Sequence, residues 1–139
     1  MFSDLERVED WSTALALETN KISGKPHAWG QNDCAIFAAN AIRAMTGQDP
    51  MKGIRGRYKT AIGAARVIKN DGFQSLAAYV SALFPEIEPA DAKRGDLVLC
   101  EGPFGDFLAV RERSFAIGPG FDGVEQIEPR QFKRAWRVG

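Results

Sequence analysis

The sequence predicts an α+β domain in which N-terminal helices pack on a C-terminal antiparallel sheet or small barrel. Three observations carry this expectation. Cap residues and helix-spaced apolar residues recur up to Pro85. After Ala90 the chain breaks into short β-rich runs bounded by Gly, Pro and charged turns. Helices first and strands after is α+β order. At 139 residues, the chain is the size of one domain, spanning 1–139.

Ser3 followed by Glu6 reads as a capping box that opens a first helix, with Leu5, Val8, Trp11 and Leu15 on one face. Residues 20–30, which include Gly24 and Pro26, form a loop. Asn32 or Asp33 then caps a second helix, CAIFAANAIRAMT, which stops at Gly47. It is small or apolar almost all round, so it is expected to be the central buried helix. Residues 53–58, GIRGRY, are a loop whose Arg55 and Arg57 are either solvated or bind an anion. A third helix spans about Thr60 to Asn70 and ends at Asp71-Gly72. A fourth carries Leu76, Val80, Leu83 and Phe84 and is stopped by Pro85. Strands are expected at 96–100, 107–111, 114–118, 124–128 and 135–138, with a turn at Gly118-Pro119-Gly120.

Bulk properties exclude several classes. Hydrophobic residues are 45% and charged residues 26% of the chain, which argues against disorder. Lys+Arg and Asp+Glu are equal at 18 each, so the basic excess typical of nucleic-acid binders is missing. No apolar run approaches the about 20 residues that cross a bilayer. The N-terminus MFSDLERVEDW has neither a basic leader nor an apolar h-region, so synthesis in the cytoplasm without a signal peptide is expected. Cys34 and Cys100 are too few for a disulfide scaffold and lack zinc spacing, so neither metal nor cofactor is expected.

The chemistry concentrates at Pro26-His27-Ala28-Trp29-Gly30-Gln31-Asn32-Asp33-Cys34. This places a cysteine in the first turn of a helix, where main-chain N–H groups favour a thiolate and the Asp33 carboxylate opposes it. A small residue buried at the head of a helix is the commoner fate of a free cysteine. The segment resembles the NlpC/P60 family of papain-like cysteine peptidases and amidases, whose nucleophile lies in a pattern close to P-Y-x-W-G-G…D-C-S-G. Pro26, Trp29, Gly30, Asp33 and Cys34 match; His27 replaces the usual Tyr, and Ala35-Ile36 replace Ser-Gly. Gly95-Asp96-Leu97-Val98 resembles the family's G-D-L-V strand.

The resemblance implies a cleft lined by Trp29, Asp33 and Phe107, with Cys34 as nucleophile. It also implies a histidine at the start of the next strand, where Phe107 stands. The third polar residue of the triad should fall near Ala116-Ile117-Gly118, which offers no suitable side chain. The chain's one histidine, His27, is the alternative base, with Asp106 as a weak orienting candidate.

A further resemblance covers Trp29–Phe37, Thr46–Pro50, Arg57–Thr60 with Gly63-Ala64, and Gly95–Leu99. It is to a small family encoded among the tail genes of bacteriophages and prophages. It implies a tail-tip or tail-assembly protein, located in the virion, that docks onto other tail proteins. The alternative is an active peptidase or amidase acting on peptidoglycan peptides through Cys34. A structural role predicts that Cys34→Ser leaves infectivity intact. It also predicts that Trp29→Ala, at a core or interface aromatic, disrupts folding or assembly, since losing a large buried aromatic costs about 3–5 kcal/mol.

Overall fold

The computed structural model describes residue 2, residues 4–103 and residues 105–139. Four helices come first: α1 Trp11–Ile22, α2 Cys34–Thr46, α3 Ala61–Asn70 and α4 Leu76–Leu83. Six strands follow: β1 Glu86–Ile87, β2 Leu97–Gly102, β3 Gly105–Arg111, β4 Ala116–Gly120, β5 Gly123–Ile127 and β6 Phe132–Trp136. They form one antiparallel sheet in the order β1-β6-β2-β3-β4-β5. The α+β expectation therefore holds, as a sheet.

The central helix is the one the sequence marked. Asp33 caps α2 by accepting a hydrogen bond from the Ile36 N–H at 2.9 Å, and the helix closes at Gly47, whose N–H reaches the Arg43 carbonyl. Ile36, Phe37, Ala38, Ala39, Ala41, Ile42 and Met45 are all buried. Thr60 and Ser75 cap α3 and α4 in the same way, through Gly63 and Ala78. One face of the sheet presents Leu97, Leu99, Leu108, Val110 and Ile117 to Phe37, Ile42 and Leu15 of the helices, with Trp136 fully enclosed among them. Strand alternation turns Val98, Cys100, Ala109, Ala116 and Ala135 to the other face, where they make a second, small-residue cluster with Ile127 and the flanking Phe107 and Phe132. Cys100 is fully buried.

Two expectations fail for tertiary reasons. The first helix begins at Trp11, and the proposed Ser3 cap lies outside the described residues. Residues 4–10 instead form a strap over the body of the protein. The Val8 N–H donates to the Met45 carbonyl, and Arg7 reaches across to the chain's other end. There the Arg7 guanidinium donates to the Val138 and Arg94 carbonyls (both 2.8 Å) and to the Asp96 carboxylate (3.0 Å). Asp96 is 1% exposed and also accepts from the N–H groups of Val138 and Lys93. The Gly-Asp pair before β2 is thus a latch. Gly95 has φ +94°, and a Cβ there would sit 2.8 Å from the Arg7 guanidinium.

The second failure is Gly118-Pro119-Gly120, which lies within β4 and pairs with β5 at Glu125, Val124 and Gly123. The hairpin turn comes later, between Gly120 and Gly123. Strand limits also shift by a few residues, most at the last strand, and the two-residue β1 was not anticipated. Arg55 and Arg57 each have a carboxylate partner. Arg55 is paired with Asp49 at 2.8 Å and Arg57 with Asp71 at 3.1 Å.

Candidate functional site

A cleft of about 580 Å³ lies between α2 and the end of the sheet. His27, Trp29, Asp33, Cys34, Asp106 and Phe107 all line it, so the fold brings together every residue singled out as a site candidate. Beneath them the wall is apolar, with Ala35, Ala38, Leu76 and Leu83.

The rim is a tight loop. Ala28 and Asn32 exchange main-chain hydrogen bonds of 3.0 and 2.7 Å, and the Asn32 side chain donates to the Pro26 carbonyl at 2.9 Å. Trp29 sits at the tip, 41% exposed, with the His27 ring edge-on at 4.9 Å. Of the two alternatives for Trp29, a core position is therefore excluded: its loop is held by the main chain, and the indole lines the rim of the cleft. Trp136 holds the core position, and Trp11 packs at its edge under the Arg7 guanidinium at 4.3 Å.

Asp33 is the structural centre of the site. Its side chain has 0% exposure and accepts three hydrogen bonds: Ile36 N–H at 2.9 Å, Gly30 N–H at 2.9 Å and the Tyr58 hydroxyl at 2.6 Å. One carboxylate thus caps α2, fixes the Trp-Gly loop and pulls in the segment before α3. Burial and the Asp33 carboxylate together push the Tyr58 phenol well above its ordinary value. Gly30 completes the joint, with φ +81° and space for no side chain, because a Cβ would lie 2.3 Å from the Tyr58 carbonyl oxygen. Tyr58 was the residue that sequence reasoning missed. It lies in the matched Arg57–Thr60 block, but only folding brings it to Asp33, 25 residues away in sequence.

Cys34 is half-buried at the first position of α2. Desolvation pushes its thiol up to about 11, against the opposing pull of the Leu108 N–H; the Asp33 charge raises it further. The helix N-terminus therefore does not win here. The strand facing Cys34 is β3. Phe107 lines the cleft but belongs to the cluster on the far face of the sheet, while Leu108 joins the cluster around α2. The positions turned toward α2 are thus Asp106 and Leu108. Asp106 is held by Lys133 Nζ at 2.9 Å. The His27 side chain makes no hydrogen bond to Cys34 among the described residues, and its own main-chain N–H ties the loop to the Gly120 carbonyl at 3.1 Å. Ala116 and Ile117 are buried apolar residues, as the sequence indicated.

Comparison with known proteins agrees with this architecture. The chain is similar to the crystal structure of the NlpC/p60 domain of the peptidoglycan hydrolase SagA, with a TM-score of 0.56 and 18% sequence identity. The match covers 90% of this chain and 97% of that one, and at such identity it establishes an NlpC/P60-like fold. No curated protein matches the chain. A family model described as a domain of unknown function, DUF6950, matches residues 6–138, and the chain belongs to that family.

Proposed function

We propose that this protein is a non-hydrolytic docking domain, an NlpC/P60-like fold used as a structural component of a bacteriophage or prophage tail. The docking reading rests on one observation: what faces the sulfur of Cys34. A cysteine hydrolase needs a group of near-neutral pKa within hydrogen-bonding reach of its thiol. Here β3 turns Leu108 and a Lys133-paired aspartate toward α2, and desolvation keeps the thiol protonated. The cleft itself, with an apolar wall and an exposed aromatic on its rim, is suited to holding a partner. The tail assignment is supported by the sequence blocks from Trp29 to Leu99 that resemble tail-encoded proteins. Under this reading the partners are other tail proteins and the protein resides in the virion.

The test is the rate of Cys34 alkylation by iodoacetamide from pH 4 to 10 in a Cys100→Ser background. A thiol whose value is raised is neutral at every pH well below about 11, so the rate should still be climbing at pH 10. It should also be indifferent to His27→Ala. A thiolate that forms below about pH 7 and is lost with His27→Ala would overturn the proposal. The chain would then be read as a peptidase or amidase, and peptidoglycan peptides would be the substrates to assay.

A further inference from the structure

The cleft is polar at one end only. The charged residues that line it, Asp33, Asp106 and Glu125, lie at the head of α2 or on the sheet, and His27 joins them from the rim loop. Asp33 is spent on its three hydrogen bonds and Asp106 on Lys133. Among the described residues, no charged side chain lines the remainder of the space.

That remainder follows α2. Ala35, Ala38, Ala39 and Ile42 are three or four residues apart, so they share one helix face, and Cys34 to Ile42 covers about 12 Å of helix axis. Ile68 of α3 and Leu83 of α4 line the same space. Its floor is core, since Ala38, Ala39 and Ile42 are at most 2% exposed, and its sides include the half-buried Ala35 and Ala64. The whole cleft, about 580 Å³, has the size of a small-molecule site.

The polar side chains along this stretch are Tyr58 and Tyr79, and both hydroxyls are engaged. Tyr58 donates to Asp33 and Tyr79 to the Pro50 carbonyl, each at 2.6 Å. A sugar, a nucleotide or an extended peptide would leave its own polar groups unpaired against such walls. No single amino-acid side chain spans the length from Cys34 to Ile42, so an anchor residue of a partner would fill only part of it. A hydrocarbon chain has no polar group to satisfy, and each methylene gains by leaving water.

We propose that the cleft binds a single-chain amphiphile, its aliphatic chain laid along α2 from Cys34 toward Ile42 and its polar head at the rim beside His27 and Glu125. One polar end and one apolar length match the two parts of such a molecule. Its binding needs neither a nucleophile nor a protein partner, so it goes beyond the docking reading above and does not depend on it.

The probe is monodecanoylglycerol, titrated below its critical micelle concentration into protein with isotope-labelled alanine methyl groups. Shifts should concentrate at Ala35, Ala38, Ala39 and Ala64, and affinity should rise roughly tenfold for each two methylenes from the hexanoyl to the decanoyl ester. Ala35→Leu and Ala64→Leu, each shown to be folded by its urea midpoint, should displace about two methylenes of the chain and so weaken binding roughly tenfold. Affinity independent of chain length, unshifted methyls at those four residues, or wild-type affinity in both folded variants would overturn the proposal. Phosphatidylcholine vesicles are the opposing control, and shifts with vesicles but not with monodecanoylglycerol would overturn it too. Mass spectrometry of the mixture keeps the two readings apart. Released decanoic acid with the four methyls shifted supports the site and removes the non-hydrolytic reading, whereas intact ester with unshifted methyls removes the site alone.

Discussion

At Asp33 a buried carboxylate is acceptable only because three donors surround it, from the helix it caps, the loop it closes and a tyrosine 25 residues away. The same geometry makes two substitutions informative. In Tyr58→Phe the carboxylate loses its shortest hydrogen bond while staying buried, which should lower unfolding stability by about 1–3 kcal/mol. In Gly30→Ala the left-handed backbone and the 2.3 Å approach to Tyr58 act together, and the joint must open to admit the methyl group. The backbone strain alone is worth about 1–3 kcal/mol, so urea midpoints should fall in both variants. A wild-type midpoint in Gly30→Ala would show that the loop is not pinned to Tyr58. At this scale the sequence displayed the residues but not their partners. Asp33 was visible as a cap because capping is local, whereas the phenol that completes its shell arrives from a segment that read as a plain loop.

Among the elements, α2 was legible end to end because its start and stop signals lie within a few residues of its ends. The β4 segment was not. Gly-Pro-Gly carries every local mark of a turn, and it becomes a strand because β5 pairs with it. The first helix failed for a comparable reason: Arg7 lies within the proposed helix but is claimed by carbonyls and a carboxylate at the far end of the chain. The rim loop carries a prediction at this scale. Its shape is set by main-chain bonds and Asn32, and Trp29 is 41% exposed, so Trp29→Ala should change stability by no more than about 1 kcal/mol. The folded variant should instead lose affinity for whatever occupies the cleft. Thermal unfolding checks the first part, and a drop in stability near the 3–5 kcal/mol of a buried aromatic would mean that the indole packs inward.

Over the whole molecule, the latch at Asp96 joins the strap before α1, the entry to β2 and the segment after β6. Asp96→Ala would leave the Arg7 guanidinium beside an apolar methyl and the Val138 N–H without its acceptor. Removing one partner of a buried pair typically costs about 3–5 kcal/mol, a large share of a domain's stability. Burial already pulls the Arg7 guanidinium below its ordinary value, with Asp96 pulling the other way, so the carboxylate is what holds that charge in place. Urea unfolding of Asp96→Ala beside Arg7→Ala and the double variant measures the coupling. Additive losses would mean that the two ends are held independently.

By itself the sequence determined the order of helices and strands, the central helix with its cap and stop, and the cysteine at that helix's head. These depend on apolar periodicity and on signals that act within a turn or two. It also supplied the likeness to NlpC/P60 proteins that the fold bears out. Only the tertiary structure decided what surrounds the cysteine. A one-residue change of strand parity moves a side chain to the other face of the sheet, and parity is set by pairing with distant strands. That is why Phe107 packs into the cluster on the far face while lining the cleft, and why Leu108 and Asp106 are turned toward α2.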